Sequence, residues 1–191
     1  FGILLFEHDG EEQKPFNSTL LLDESGKVLG TYDKNHLLVF GEYIPGGEWF
    51  PQLYEWLPQA SRFYPGTDVA AFEFKDFNLG PLVCYEDIIP SFSRRVAEKG
   101  IHVFINITND AWFGKTAEPY LHLALATFRS VENRKMMIRS TNTGVSAYID
   151  AVGRIVAETS LDDEETLIRE VPMVTEDTFY TRFGNVFLVL C

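Results

Sequence analysis

The apolar positions of the chain fall into short runs punctuated by Gly, Pro, Asn and Asp. Residues 2–7 read as a buried strand, and the polar, acidic residues 8–14 as a loop. Asn17 to Asp23 reads as a strand and Glu24-Ser25-Gly26-Lys27 as a turn in which Gly26 supplies the permissive dihedral; Val28 to Tyr32 returns as the second strand of a hairpin. A hairpin of the same type is expected further on, where Val145 to Ile149 is followed by Asp150-Ala151-Val152-Gly153-Arg154 and a return at Ile155. Between them, Val69 to Phe74 and Leu79 to Cys84 read as strands about a turn at Asp76-Phe77-Asn78. Pro90-Ser91 opens a helix, with Ser91 as its cap and Phe92 and Val96 turned inward, and Lys99-Gly100 closes it. Ile101 to Ile107 is an apolar strand. This strand–helix–strand order predicts a right-handed crossover and parallel neighbours, with Cys84 at the carboxyl end of a strand, where open α/β sheets place their ligands.

Thr116, as a cap, and Pro119, in the first turn, mark a longer helix. Leu121, Leu125, Phe128 and Glu132 recur along it at helical spacing, and Ala124 and Val131 widen the apolar stripe. Met136 to Ser140 and Leu167 to Val171 complete the strands, and from Pro172 the chain leaves the core. The segment between Asn35 and Thr67 has no such regularity beyond a short helix near Tyr54 to Leu57. It carries Phe40, Tyr43, Trp49, Phe50, Tyr54, Trp56, Phe63 and Tyr64, broken by prolines and glycines. A loop of that length in a compact domain is usually functional or mobile. Its aromatics either cover one edge of the core or form an apolar lid or membrane-contacting arm over a site for a greasy substrate.

Composition narrows the classes. With 191 residues, 46% hydrophobic and 14% aromatic, the chain can bury one sizeable core. A net charge of −12 without a Lys/Arg cluster argues against nucleic-acid binding and against electrostatic docking on anionic lipid. Cys84 and Cys191 do not suggest a disulfide framework, and no pattern asks for a metal or a cofactor. Phe1 opens directly into an apolar run and Phe187-Leu188-Val189-Leu190-Cys191 stops inside one, so the expectation is a piece of a longer protein. The tail is either a final core strand or the first turns of a membrane helix.

Leu79-Gly80-Pro81-Leu82-Val83-Cys84-Tyr85-Glu86-Asp87 is the stretch that suggests chemistry: an apolar strand ends at a thiol, and carboxylates follow at once. A lone cysteine is ordinarily an inert buried thiol; as a nucleophile it needs its thiolate, a proton acceptor and a group to hold an oxyanion. Of His8, His36, His102 and His122, only His36 lies near a motif, since His122 falls within a helix. A Cys84–His36 dyad is one arrangement; a Cys–Lys–Glu site using Lys34 is the other, although a lysine just after a strand is ordinarily a surface residue.

Two strings favour the second: Tyr32-Asp33-Lys34-Asn35-His36-Leu37-Leu38-Val39-Phe40-Gly41-Glu42-Tyr43-Ile44-Pro45 and Leu82-Val83-Cys84-Tyr85-Glu86-Asp87. Together they resemble the nitrilase (carbon–nitrogen hydrolase) superfamily, with its Glu–Lys–Cys triad. Asn106-Ile107-Thr108-Asn109-Asp110-Ala111-Trp112-Phe113-Gly114, Arg129-Ser130-Val131-Glu132-Asn133-Arg134 and Arg139-Ser140-Thr141-Asn142-Thr143-Gly144-Val145-Ser146-Ala147 sharpen the likeness to the apolipoprotein N-acyltransferases. That resemblance implies an α/β fold, a nitrilase-like α-β-β-α sandwich lacking its first strand–helix unit. Residues 1–181 would form the catalytic domain, incomplete at its N-terminus, and residues 182–191 the start of a transmembrane helix.

The activity implied is transfer of an acyl chain from a phospholipid to the amino-terminal diacylglyceryl-cysteine of an apolipoprotein, at the periplasmic face of a bacterial inner membrane. By position, Cys84 would attack the acyl ester and become a thioester. Lys34 would stabilise the oxyanion with the Tyr85 N–H, Glu42 would orient Lys34 or relay a proton, and Glu86 with Tyr85 would shape the pocket. Tyr43, Trp112 and Phe113 would meet the acyl chain. Asn142 and Gly144 read as turn-forming, and Arg129, Arg134 and Arg139 as structural partners of carboxylates. The family's general-base glutamate precedes the lysine, and neither Glu7, Glu11 nor Glu12 stands in a matching string, so the base is expected elsewhere and this stretch alone is expected to be inactive. A soluble amidase and a non-catalytic binding module are the competing readings.

Overall fold

The computed structural model describes residues 1–10, 12–161 and 163–191, together with all side chains there except those of residues 9, 12, 189 and 190; Glu11 lies outside the described residues. The chain divides into two compact units, Phe1–Asp68 and Val69–Cys191.

The first unit is built on an antiparallel sheet of β1 (Gly2–Asp9), β2 (Glu12–Leu22) and β3 (Val28–Asp33), in that order. Of the residues expected as a loop, 8, 9 and 12–14 instead continue the β1–β2 ladder, with Glu7 opposite Lys14 and His8 opposite Gln13. Polar side chains do not end a strand whose residues are exposed, because the backbone ladder satisfies the main chain whatever the side chains are. At the β2–β3 turn Asp23 Oδ1 accepts from the Ser25 and Lys27 N–H groups, and Gly26 takes φ +84°. Beyond β3 the chain is irregular to Asp68, apart from one turn of helix, α1 (Leu53–Trp56). Trp49, Phe50 and Trp56 there are 81%, 62% and 75% exposed, so these three do not cover the core of their own unit.

The second unit is a six-stranded mixed sheet in sequential order: β4 (Phe72–Phe74), β5 (Phe77–Val83), β6 (Val103–Thr108), β7 (Met136–Thr141), β8 (Ala147–Ile149) and β9 (Ile155–Glu158). β5, β6 and β7 are parallel and the outer pairings antiparallel, as the crossover pattern predicts. The connections are α2 (Pro90–Ala97), between β5 and β6, and α3 (Glu118–Asn133), between β6 and β7. Leu82, Phe92, Val96, Ile101, Val103 and Phe104 form the middle of the core, each at most 1% exposed. Burial of one such side chain contributes roughly 1.5–3 kcal/mol. A Cβ on Gly80 would lie 2.5 Å from Ile101 Cδ1 and 2.7 Å from Val96 Cγ1, so β5 carries a glycine where α2 and the start of β6 press on it. The β8–β9 turn repeats the first hairpin: Asp150 Oδ1 accepts from the Val152 and Arg154 N–H groups, and Gly153 takes φ +82°.

Five expectations need correction. The β4–β5 turn lies at Lys75-Asp76, so Phe77 and Asn78 pair in the sheet. Ser91 does not cap α2; Ile89 precedes it and Pro90, which has no N–H to satisfy, opens it. Thr116 stands one residue before the α3 cap position and accepts from the Glu118 N–H at 3.2 Å. Residues 167–171 are not a strand. The apolar stripe of α3 faces outward: Leu121, Leu125, Phe128 and Val131 are 40–56% exposed, whereas His122, Leu123, Ala126, Arg129, Ser130 and Asn133 are buried.

After β9 the irregular chain is strapped onto the C-terminal end of α3. Lys135 Nζ donates to the Val174 and Glu176 carbonyls, Thr178 Oγ1 to the Glu132 carbonyl and Thr181 Oγ1 to Asn133 Oδ1. Two short helices follow, α4 (Phe179–Phe183) and α5 (Val186–Leu190). Among the described residues no helix is long and apolar enough to cross a membrane.

Candidate active site

β5 ends at Val83, and the chain turns at once into a single 3-10 turn, Cys84–Ile88, ahead of α2. Cys84 takes φ +53°, a left-handed conformation that costs a non-glycine residue about 1–2 kcal/mol. Its surroundings hold it there. The buried Glu86 Oε2 accepts from the Val83 N–H at 2.8 Å, and Asn106 Nδ2, from β6, donates to the Cys84 carbonyl at 3.1 Å. Cys84 is half-buried and in no disulfide. A thiol on a sharp turn at the end of a parallel strand is presented beyond the sheet, where a substrate can approach it.

Behind the turn lies a set of buried charges. His122 Nε2 is 2.9 Å from Asp87 Oδ1 and Nδ1 is 2.9 Å from Asp110 Oδ1. Arg139 Nη1 donates to Asp87 and to Asn106 Oδ1 (3.1 Å), and its Nη2 donates to Asp110 Oδ2 (3.1 Å). Asp87, Asp110, His122, Arg139 and Asn106 are each at most 2% exposed. Burial pushes the Asp110 carboxyl up, but the hydrogen bond and charge of His122, and then Arg139, outweigh it and hold Asp110 below the usual carboxylate range. Burial likewise pushes His122 down, and its hydrogen bonds to Asp110 and Asp87 more than offset that and hold it above its ordinary value. Tyr85 stacks on His122 with ring centroids 4.5 Å apart and planes 9° apart, and meets Phe113 edge to face at 5.9 Å. Its hydroxyl donates to Glu118. Burial, then that carboxylate, raise the phenol well above its usual range, so it stays a donor.

The loops after β6 and β7 and the chain after β9 line an open cavity of about 560 Å³, whose wall includes Asp110, Ala111, Pro119, Asn142, Gly144 and Glu165. Gly144 has φ +113°, and a Cβ there would lie 2.8 Å from Asp110 Oδ2, so the glycine expected to make a turn also leaves room for a charged group. Trp112 is 61% exposed, and Phe113 is half-buried against Tyr85.

In the first unit Lys34 follows β3 and is buried, 1% exposed, so it is not a surface lysine. Its Nζ donates to Glu42 Oε2 at 2.7 Å. The same carboxylate accepts from the Leu38 N–H (2.7 Å) and, through Oε1, from Asn17 Nδ2 (2.8 Å), which leaves its orientation fixed. Tyr43, next to Glu42, is half-buried, and His36 is exposed.

Sequence reading missed His122, Asp87, Asp110 and Asn106 as members of one set. The signal was present: His122, Ala126, Arg129 and Asn133 repeat at helical spacing, a small and polar stripe opposite the apolar one. Two of the three arginines expected to hold carboxylates do so, Arg139 with Asp87 and Asp110, and Arg129 with Glu132 (2.7 Å), whereas Arg134 is exposed at the C-cap of α3.

Residues 1–179 match the carbon-nitrogen hydrolase family. The chain belongs to that family. An apolipoprotein N-acyltransferase of Geobacter metallireducens is 41% identical over 190 residues, 100% of this chain and 36% of that protein. Those of Bdellovibrio bacteriovorus and Rickettsia prowazekii are each 36% identical, over 92% and 99% of this chain and 33% and 38% of theirs. The chain thus spans about a third of the length of the curated relatives it matches. Among solved structures, Nit3 of Saccharomyces cerevisiae, from branch 10 of the nitrilase superfamily, superposes with a TM-score of 0.63 at 22% identity, over 84% of this chain and 55% of that one. An amidase of Nesterenkonia, solved with acrylamide added to its active-site cysteine, gives 0.64 at 21% identity, over 98% and 66%. These likenesses establish the nitrilase-like α-β sandwich.

Proposed function

We propose that the longer protein to which these residues correspond transfers a fatty acyl chain from a phospholipid to the amino-terminal diacylglyceryl-cysteine of apolipoproteins, through a thioester on Cys84. The observation that carries the reading is a strained Cys84 on a pinned turn, in a chain matched along its whole length by apolipoprotein N-acyltransferases. In the first half-reaction the Cys84 thiolate adds to the ester carbonyl carbon of the phospholipid. The tetrahedral oxyanion is met by the Lys34 ammonium and the Tyr85 N–H, and collapse expels the lysophospholipid alkoxide, which takes up a proton. In the second, the acceptor's neutral amine adds to the thioester carbonyl, its nitrogen gives up a proton to the general base, and collapse expels the Cys84 thiolate, leaving an amide. The thiol proton passes to the family's general-base glutamate, which the sequence pattern does not locate before Lys34.

Glu42 orients Lys34, consistent with their 2.7 Å ion pair. Glu86 shapes the turn from behind, and its acceptance of the Val83 N–H supports that role over contact with substrate. The exposed Trp112 and half-buried Tyr43 and Phe113 offer apolar surface to acyl chains. The proposed setting is the bacterial inner membrane with the catalytic domain on the periplasmic side, and residues 182–191 leading towards a membrane helix. The test uses the full-length protein with phospholipid and no acceptor: mass spectrometry should find an acyl mass on Cys84, absent in Cys84→Ala. Transfer that persists in Cys84→Ala without an adduct overturns the mechanism, and lipid-independent release of ammonia from small amides would point to an amidase.

A further inference from the structure

We propose that His122 is a positioning residue for the nucleophile: through Asp87 it ties the Cys84–Ile88 turn to the loop after β6, and on its ring face it seats Tyr85. The inference deepens the acyltransferase reading and rests on it for the meaning of Cys84. The groups around the imidazole come from every element packed against it; the two carboxylates favour its charged form and Arg139 opposes it. From the 3-10 turn come Asp87 at Nε2, the Tyr85 ring on the face, and Glu86 and Cys84 in the same turn; from the β6 loop comes Asp110 at Nδ1; from β7 comes Arg139, with Nη2 3.0 Å from Nδ1; and from α3 itself comes Glu118, through the Tyr85 hydroxyl.

A neutral imidazole carries one N–H. With both ring nitrogens 2.9 Å from carboxylate oxygens, a neutral ring would set a lone pair against one of them. Arg139 could donate to a bare Nδ1, but Asp110 Oδ1 would still face that lone pair, so the arrangement calls for the imidazolium. Two cations, His122 and Arg139, then balance two anions, Asp87 and Asp110, in a site closed to water. An imidazolium under a phenol ring adds a cation–π attraction, which draws Tyr85 onto the histidine and so fixes the peptide that carries the Tyr85 N–H. Arg139 reaches the Cys84 carbonyl through Asn106, so both sides of the Cys84–Tyr85 peptide hang from the same cluster.

His122→Gln retains a donor for one carboxylate and loses the charge and the stacking ring. In full-length protein it should lower the single-turnover rate of Cys84 acylation on the order of 10–100-fold, the scale of a small misplacement of reacting groups. The phospholipid concentration for half-saturation should stay unchanged, and alkylation of Cys84 by iodoacetamide should slow in parallel. A His122→Gln protein that folds and alkylates and acylates at the parent rate overturns the inference. Should His122→Gln fail to fold, the parent protein decides. Histidine-selective NMR follows the ring while iodoacetamide follows Cys84, as pH is raised until the ring loses its proton. Alkylation must fall as the ring loses its proton; a rate that climbs steadily with thiolate through that transition overturns the inference. Slowed alkylation in His122→Gln with no acyl adduct in the parent would sink the acyltransferase reading and leave the positioning role standing.

Discussion

Glu42→Ala tests the buried Lys34–Glu42 pair of the first unit most directly. The Lys34 side chain is 0% exposed and that of Glu42 11%, and the pair is 2.7 Å long. Removing the carboxylate strands a buried ammonium, a change that costs about 3–5 kcal/mol where one partner of a buried pair is deleted. Two more donors lose their acceptor, the Leu38 N–H and Asn17 Nδ2, at about 1–3 kcal/mol each if water does not replace it. The losses share one carboxylate and do not add, so the expected destabilisation is about 3–5 kcal/mol for the variant as a whole. Glu42→Gln retains an acceptor for Lys34 and should cost clearly less. Pulse proteolysis in urea, on the full-length protein, separates the two. Lys34→Met in the Glu42→Ala background should recover part of the loss, because it removes the stranded charge. A Glu42→Ala penalty below about 1 kcal/mol, the level of an exposed pair, would refute a buried, oriented Lys34.

Further outcomes follow from the second unit. Gly144→Ala sets a Cβ 2.8 Å from Asp110 Oδ2 at φ +113°, and should cost about 1–3 kcal/mol and perturb the Asp110 carboxyl, read by carboxylate-selective NMR. Cys84→Gly removes left-handed strain of about 1–2 kcal/mol and adds about 0.5–1 kcal/mol of glycine entropy, so it should be more stable than Cys84→Ala by up to about 1.5 kcal/mol, measured by thermal unfolding. The pH dependence has two limbs. Asp110, held below its ordinary 3.8, contributes stability that is present above that value and lost as pH falls through the folded value. His122, held above its ordinary 6.5, contributes stability present below that value and lost as pH rises through the folded one. Urea midpoints should therefore decline on both sides of mildly acidic pH, and the alkaline decline should vanish in His122→Gln.

The parallel β5–β6–β7 core and both hairpins were legible because their signals are local: apolar runs, and an Asp three residues before a Gly at each turn. The β1–β2 hairpin was not, because its tip is polar on both faces and period-two alternation vanishes where nothing is buried. The outward stripe of α3 misled for a related reason. Hydrophobic periodicity identifies a helix but assumes that its apolar side meets the core. Here the polar side does, because it covers the ends of strands that carry Asp110 and Arg139 and the turn that carries Asp87. Cys84 and Lys34 were singled out through ordered strings; the groups that hold Cys84 come from three separate stretches, and no window of sequence contains them together.

That inversion of α3 bears on why the Cys84 turn is built on charge at all. Replacing a buried ionic cluster with well-packed apolar residues is often neutral or stabilising, so Asp87, Asp110, His122 and Arg139 are poorly explained as sources of stability. What apolar packing does not supply is direction. Cys84 sits in a conformation that its backbone disfavours, and van der Waals contacts tolerate the small rotations that would let it relax. Hydrogen bonds to fixed partners do not. Asn106 holds the Cys84 carbonyl, Glu86 the Val83 N–H, and the Tyr85 ring is set from below by His122 and from its tip by Glu118. Three consecutive residues are thereby tied to β6, to the turn itself and to α3, and α3 must turn its polar face inward to provide its share. The apolar stripe left outside is the consequence, so a variant that restores a conventional apolar interior, with Asp87, Asp110, His122 and Arg139 all replaced by leucine so that no buried charge is stranded, should lose Cys84 reactivity even if its thermal stability survives.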